Sequence, residues 1–133
     1  MLLPILYKDL IEVAKKARQN AYAPYSEFKV GAALKTKDGL IFEGCNIENS
    51  ALSTTKCAER TAFFKAISEG ETKFEAIAIV GGKGDELIQC PPCGACRQVM
   101  TEFCDKDFKI ILFDGNDEDV YTLEELLPLG FKL

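Results

Sequence analysis

Three cysteines in this chain have a spacing that few kinds of protein site use. Cys57 opens the run Cys-Ala-Glu-Arg, and Cys93 and Cys96 are separated by two residues in the run Pro-Cys-Gly-Ala-Cys-Arg-Gln. Cysteines three positions apart at the start of a helix place both sulfurs on one face, one turn apart. Sulfur ligands in such a pattern are typical of zinc. The fold is therefore constrained to bring two segments that are distant in sequence to one point.

Length and composition narrow the class of protein. The chain has 133 residues, of which 47% are hydrophobic, and this predicts a single domain spanning residues 1–133. The formal net charge of −5 argues against a nucleic acid as the main partner, because phosphate contacts need clustered Lys and Arg. The sequence shows no membrane span and no signal peptide. Without an export signal, the six cysteines are expected to be thiols and metal ligands in a cytoplasmic protein.

Hydrophobic periodicity predicts the order α-β-β-α-β-α-β-α. Two of the helices alternate with strands in the second half of the chain, which favours parallel pairing there, whereas the turn signal at 37–39 indicates an antiparallel hairpin. We therefore expect a mixed α/β sheet covered by helices. The predicted helices are 5–21, 57–69, 93–104 and a short one with a capping box at Thr122, and the predicted strands are 28–34, 40–44, 76–80 and 109–113.

The three cysteines suit a catalytic metal site. Cys57 and Cys93 lie where helices begin, and a helix N-terminus stabilises a thiolate. Three protein ligands leave the fourth position of a tetrahedral zinc ion to water. Glu59 follows the first ligand by two positions, so it is expected near the metal without binding it. A carboxylate there can take a proton from the water and pass it to a substrate.

Three thiolates give a divalent ion one net negative charge, which weakens it as a Lewis acid. Arg60 and Arg97 each follow part of the ligand set directly. We expect at least one of them to donate to the ligand sulfurs and withdraw charge from them. The alternative for either arginine is a solvated surface charge.

Two alternatives for the cysteines remain open from the residues alone. Cys90 could complete a closed four-sulfur site of the structural kind, or it could form a redox pair with Cys93. Neither alternative accounts for Glu59 arriving together with Arg60 and Arg97. Two further cysteines fall outside the pattern and are expected to be small buried thiols. These are Cys45 and Cys104.

Over nearly its whole length the sequence resembles the cytidine deaminases, in particular the small, homotetrameric type whose zinc ligands are all cysteines. Zinc nucleobase deaminases carry a ligand-Ala-Glu element followed by a Pro-Cys-x-x-Cys element. Both elements are present here, together with two further segments that resemble the family. The matching segments are YAPYSEFKVGAA at 22–33, GCNIEN at 44–49, CAERTA at 57–62 and PCGACRQ at 92–98.

The resemblance implies a fold and a set of roles. The fold is a three-layer α-β-α sandwich with a mixed sheet. Zn²⁺ binds to Cys57, Cys93 and Cys96, and Glu59 shuttles protons. The expected substrate contacts are the Phe28 ring on the pyrimidine, Asn46 and Glu48 on the ribose hydroxyls, main-chain groups of Ala58 on the base, and Phe131 closing the pocket of a neighbouring subunit in a homotetramer.

The activity implied is hydrolytic deamination of cytidine and 2′-deoxycytidine to uridine and 2′-deoxyuridine, a step of pyrimidine salvage. The sequence departs from the family at Leu52, Pro91 and the short tail 126–133. The tail resembles that of blasticidin S deaminases, which leaves another cytosine compound as an alternative substrate. A structural zinc-binding module is the non-enzymatic alternative, and a nucleic-acid editing enzyme is disfavoured by the acidic charge.

Overall fold

The computed structural model describes residues 7–133, which form four α-helices, six β-strands and one short 3₁₀ turn at Leu52–Thr54. The helices are α1 (Tyr7–Arg18), α2 (Ala58–Ser68), α3 (Gly94–Phe103) and α4 (Leu123–Leu126). The strands are β1 (Phe28–Thr36), β2 (Ile41–Cys45), β3 (Phe74–Lys83), β4 (Glu86–Ile88), β5 (Lys109–Phe113) and β6 (Glu118–Thr122). Among these residues no helix is long and apolar enough to cross a bilayer.

The strands form one mixed sheet in the order β2-β1-β3-β5-β6, and β4 pairs with the end of β3. β3 and β5 run parallel, with α3 in the crossover between them, and the other pairs are antiparallel. The parallel pairing that the sequence favours in the second half is thus confirmed for β3 and β5. β6 returns antiparallel beside β5.

Helices cover both faces of the sheet, so the predicted three-layer sandwich is confirmed. Alternate residues of a strand point to opposite faces. In β1, Ala33 packs with the buried side of α1, whereas Ala32 and Leu34 pack with α2 and α3. The buried residues of α1 recur at helical spacing, as one apolar stripe requires. They are Leu10, Ile11, Ala14 and Ala17.

The first turn of α2 lies very close to β2. A Cβ added at Gly44 would stand 2.3 Å from the carbonyl oxygen of Ala58 and 2.6 Å from the amide nitrogen of Ala62. Ala58, Ala62 and Ala66 are all fully buried, so small side chains on α2 and a glycine on β2 together allow this approach. The distance from the sheet to the start of α2, where Cys57 and Glu59 stand, is set by these residues.

The structure differs from the sequence prediction in three places. The loop predicted at 81–84 belongs mostly to β3, which continues to Lys83 and pairs with β4, a strand too short to show a pattern. β6 is also absent from the predicted order, because its residues Glu-Asp-Val-Tyr-Thr are mostly exposed and carry no apolar alternation. The predicted first helix ends at Arg18 rather than at 21, and its first two residues lie outside the described range.

We predict that Gly44→Ala destabilises the protein by about 1–3 kcal/mol, because backbone atoms of α2 cannot move aside as a flexible side chain would. Chemical denaturation of zinc-loaded protein measures the change. Gly94→Ala is the matched control, since an added Cβ there meets no atom within 4 Å. Equal midpoints for the two variants would contradict the close approach.

Candidate metal and catalytic site

Two helix N-termini bring the three cysteine sulfurs together. Cys57 is the N-cap residue of α2 and Cys93 is the N-cap residue of α3, both with extended backbone. Cys96 lies one turn into α3 and is buried. The three Sγ atoms all lie within 4.8 Å of one another. The fold therefore brings the two cysteine-bearing segments to one point, as their spacing predicts.

The spacing of the sulfurs fits a tetrahedral metal ion. Two sulfurs bound at ~2.3 Å to a tetrahedral ion lie about 3.8 Å apart. The Sγ atoms of Cys57 and Cys93 are 3.8 Å apart, and those of Cys93 and Cys96 are 3.4 Å apart. Cys93 is exposed, so the cluster is accessible from one side. Three sulfurs with an open side can hold a metal ion and leave room for a further ligand.

Local charges favour a thiolate at Cys57. Hydrogen bonding from the Cys96 thiol, with a further contribution from Arg60, lowers the pKa of Cys57 to about 5. The N-terminus of α2 acts in the same direction, since unpaired backbone N–H groups there stabilise negative charge. These contacts thus favour a thiolate at Cys57, whereas hydrogen bonding to the Cys57 sulfur and burial raise the pKa of Cys96.

The two candidate arginines have different contacts. Arg60 donates from Nη2 to the Cys57 sulfur at 3.4 Å, and its Nε is buried. Arg97 donates to the carbonyl oxygens of Pro92 at 2.7 Å and Leu126 at 2.6 Å. Arg60 is therefore in a position to reduce the charge on a ligand sulfur. Arg97 instead joins the start of α3 to the end of α4.

Glu59 is a buried carboxyl group in the first turn of α2, only 4% exposed. Burial raises the pKa of Glu59 to about 7. An acid whose pKa lies near neutrality can both accept and release a proton under ordinary conditions. Because Glu59 shares the first turn with the N-cap Cys57, this carboxyl group stands beside the sulfur cluster.

Cys90 does not belong to the cluster of three sulfurs. Its thiol is partly buried against the core, and burial raises its pKa to about 12. A closed four-sulfur site would need this thiol as a ligand. Cys45 and Cys104 are also free and partly buried, and burial raises the pKa of both.

Asn46 supports the start of β1, where Phe28 is the first residue. Its Oδ1 accepts a hydrogen bond from Val30 N at 2.9 Å, and its Nδ2 donates to Phe28 O at 2.8 Å. Asn46 itself is 9% exposed. Phe28 is partly buried and packs on the core beneath α2 and α3. The residue predicted to contact the base and the first residue predicted to contact the ribose are thus directly connected.

Glu48 is held by the loop that leads into β1. Its Oε1 accepts from the backbone amides of Tyr25 at 3.0 Å and Ser26 at 3.2 Å, and its Oε2 accepts from Ser26 Oγ at 2.5 Å. The Ser26 hydroxyl holds the pKa of Glu48 below its usual range. Ser26 Oγ also accepts from Phe28 N at 3.0 Å. Ser26 lies in the matching segment 22–33 without a predicted role of its own, and it links Glu48 to Phe28.

A short antiparallel bridge joins residues 46–48 to the residue that precedes Cys57 of the sulfur cluster. The amide of Ile47 donates to Lys56 O at 3.0 Å, and the amide of Lys56 donates to Ile47 O at 3.0 Å. Ile47 stands between Asn46 and Glu48, and Lys56 immediately precedes Cys57. The bridge fixes these polar side chains near the start of α2. No sequence pattern predicts it, since it lies in an irregular segment.

A second residue that sequence reasoning does not find is Gly81. A Cβ there would stand 3.0 Å from Phe28 Cε1 and 3.1 Å from both Cys90 Sγ and Val30 Cγ2. The absence of a side chain on β3 therefore leaves room for the Phe28 ring and the Cys90 thiol. We call Phe28, Gly81 and Cys90 the aromatic wall.

The remaining predicted residues are Ala58 and Phe131. Ala58 is fully buried at the start of α2, with its carbonyl oxygen close to Gly44. Phe131 lies in the tail and is 70% exposed, and its carbonyl accepts from Gln98 Nε2 at 3.0 Å. This hydrogen bond attaches the tail to α3. The Phe131 ring is not packed into the core of its own chain.

Comparison with known proteins agrees with this geometry. Residues 5–112 match the family model described as the cytidine and deoxycytidylate deaminase zinc-binding region. A cytidine deaminase of Sporosarcina psychrophila is 53% identical over 126 residues, covering 94% of this chain and 90% of the relative. A blasticidin-S deaminase of Bacillus cereus is 33% identical over 128 residues, covering 92% and 90%.

A solved structure agrees as well. The crystal structure of a cytidine deaminase from Burkholderia pseudomallei superposes with a TM-score of 0.88 at 47% identity, covering 96% of this chain and 100% of that one. The sequence match, the shared fold and the three converging sulfurs lead to one conclusion: the chain belongs to the cytidine and deoxycytidylate deaminase zinc-binding family.

Proposed function

We propose that this protein is a zinc-dependent enzyme that hydrolyses the exocyclic amine of cytidine and 2′-deoxycytidine, giving uridine or 2′-deoxyuridine and ammonia. The observation that carries the proposal is a cluster of three sulfurs, open on one side, beside a buried carboxyl group. A purely structural metal site is normally closed by four ligands and has no use for Glu59. Relatives that share most of the chain bear the name cytidine deaminase.

The chemistry divides between the metal and Glu59. A zinc ion held by Cys57, Cys93 and Cys96 would supply Lewis-acid activation of the attacking water. Glu59 accepts the proton that this water loses and transfers it to N3 of the ring as the water oxygen bonds to C4. It then takes a second proton from the new C4 hydroxyl group and delivers it to the amino group, so that the C4 carbonyl forms as the C4–N bond breaks and ammonia leaves. A pKa raised to about 7 by burial suits a residue that must alternate between acid and base.

Arg60 corrects the charge of the site. Three thiolates on one divalent ion leave excess negative charge, which would oppose loss of a proton from the water. The hydrogen bond from Arg60 Nη2 to the Cys57 sulfur draws charge from that ligand. Arg97 has its donors on backbone carbonyls, so we assign it to holding α3 in place.

The segment from Phe28 to Glu48 offers side chains that can bind the base and the sugar of a nucleoside. The Phe28 ring offers an apolar surface to the pyrimidine. Glu48 has lone pairs beyond those used by Tyr25 and Ser26, and within residues 7–133 one N–H of the Asn46 amide has no partner. These groups can bind ribose hydroxyls. Main-chain groups at Ala58 can contact the base, since Ala58 lies between Cys57 and Glu59.

We further propose that the whole chain acts as one domain in a cytoplasmic homotetramer. Free thiols in the site suit a reducing compartment. Several large apolar side chains near residues 46–48 and in the tail are exposed in the single chain, as expected of surfaces that another subunit covers. They are Tyr22, Tyr25, Ile47, Leu52, Leu129 and Phe131.

Turnover assays test the proposed reaction directly. Cytidine, 2′-deoxycytidine and blasticidin S are each supplied to zinc-loaded protein, and ammonia release is measured. We expect turnover of the two nucleosides. Turnover of blasticidin S alone would transfer the proposal to the alternative substrate class. Turnover of none by protein with one zinc per chain would favour the structural module.

We predict that Glu59→Gln lowers kcat on cytidine by at least ~10²–10⁴-fold, because the amide cannot carry protons. Zinc content, measured by atomic emission, stays at one ion per chain, since Glu59 is not a ligand. Glu69→Gln is the matched control, because Glu69 caps the opposite end of α2 and is exposed. Near-normal turnover of Glu59→Gln would refute the assignment.

We predict that the tail acts between subunits. Chains carrying Glu59→Gln are mixed with chains truncated after Pro128, and each parent is inactive or strongly impaired. A truncated chain with intact Glu59 can receive an intact tail from its neighbour, so up to about a quarter of the sites in an equal mixture recover activity. Subunit exchange is verified by native mass spectrometry. Exchange without recovery would place Phe131 in the site of its own chain.

A further inference from the structure

Arg18, the last residue of α1, donates hydrogen bonds to three backbone carbonyls, two in strands and one in a turn. Its Nε donates to Lys29 O at 2.8 Å, and its Nη2 donates to Gly82 O at 2.7 Å and Gly84 O at 2.8 Å. One guanidinium thus spans β1, the end of β3 and the turn that leads into β4. Three bonds from a cation to neutral carbonyls hold these segments in one arrangement.

The contact lies directly behind the aromatic wall, on the opposite face of the sheet. Lys29 and Gly82 are register partners of β1 and β3. By alternation they share a face with Gly31 and Val80, which pack against α1. Their chain neighbours Phe28 and Gly81 point to the other face, where α2 and α3 lie, since successive residues alternate across a sheet. Arg18 therefore binds backbone carbonyls of the residues next to Phe28 and Gly81, two members of the aromatic wall.

Close packing of α1 on the sheet makes this reach possible. A Cβ added at Gly31 would stand 2.0 Å from Ala14 O and 2.5 Å from Arg18 N. The missing side chain on β1 lets the last turn of α1 rest on the strand. The backbone of Arg18 is consequently held close to β1, so that its guanidinium group reaches the carbonyl oxygens of the sheet.

Phe28 needs such support because it begins its strand. The residue before it, Glu27, has a φ of 61°, a left-handed conformation that a non-glycine residue rarely adopts. The chain therefore enters β1 through a turn. Asn46 binds the backbone of Phe28 and Val30 on the β2 side. Arg18 binds Lys29 on the β3 side, so the first three residues of β1 are held from both sides.

We infer that Arg18 is a positioning residue for nucleoside binding, holding the aromatic wall in place from the face of the sheet opposite the site. The inference rests on the proposed role of Phe28 against the pyrimidine. It predicts a selective effect on substrate binding, because Arg18 touches neither the sulfur cluster nor Glu59 within the described residues. The metal and the proton carrier are positioned by α2 and α3 instead.

Kinetics of Arg18→Met test the inference, since methionine keeps much of the apolar stem and removes all donors. We expect KM for cytidine to rise about tenfold and kcat to fall less than about threefold, with one zinc per chain. Arg18→Lys restores one cationic donor and should give an intermediate KM. Lys16→Met removes a positive charge from the same helix turn, where the side chain is exposed, and should leave KM unchanged.

Hydrogen exchange on the zinc-loaded protein adds a readout that does not need turnover. Arg18→Met should exchange faster at 28–30 and 81–88 and unchanged within α2. Equal acceleration in α2, or loss of kcat in proportion to unfolded protein, would show a general stability role and overturn the inference, as would an unchanged KM. If wild-type protein fails to deaminate cytidine, the proposed function fails, whereas the exchange pattern still decides whether Arg18 positions the wall.

Discussion

The structure depends on concentrating negative charge at one point. Three sulfurs lie within 4.8 Å of one another, and as thiolates they would repel strongly without compensation. Two helix N-termini, at Cys57 and Cys93, direct their partial positive charge at this point. Arg60 adds a full positive charge through its bond to the Cys57 sulfur. A divalent ion held by the three sulfurs would complete the balance, so folding of α2 and α3 and binding of metal are expected to support each other.

Close packing against the sheet fixes the positions of the helices that carry the sulfur cluster. Gly44 admits the first turn of α2 against β2, and Gly81 admits the aromatic ring and thiol of the wall. Gly31 likewise admits α1 on the opposite face. Glycines therefore recur on the strands where a helix or an aromatic ring approaches the sheet closely. Close backbone packing at these glycines therefore helps to set where α2 and the Phe28 ring lie relative to the sheet.

Local chemistry specifies the parts of the fold that the sequence predicts correctly. Cysteine spacing, the capping box at Thr122 and the apolar period of α2 are all readable within one turn or one strand, and each is found in the structure. Strands β4 and β6 could not be predicted because they are short or exposed and are stabilised by a neighbouring strand. Their residues alone carry too little hydrophobic pattern to indicate pairing.

In the site, Cys57 and Glu59 stand out in the sequence because their chemistry is unusual at that spacing. Ser26 and Arg18 instead act through hydrogen bonds between distant segments, and Gly81 acts through the space that its missing side chain leaves.

The three converging sulfurs imply a bound metal ion with one coordination position left for chemistry. X-ray absorption at the zinc edge of the purified, zinc-loaded protein measures this coordination directly. We expect three sulfur neighbours at ~2.3 Å and one oxygen or nitrogen neighbour that a substrate analogue displaces or perturbs. Four sulfur neighbours would contradict it, because Cys90 would then close the site and leave no position for water.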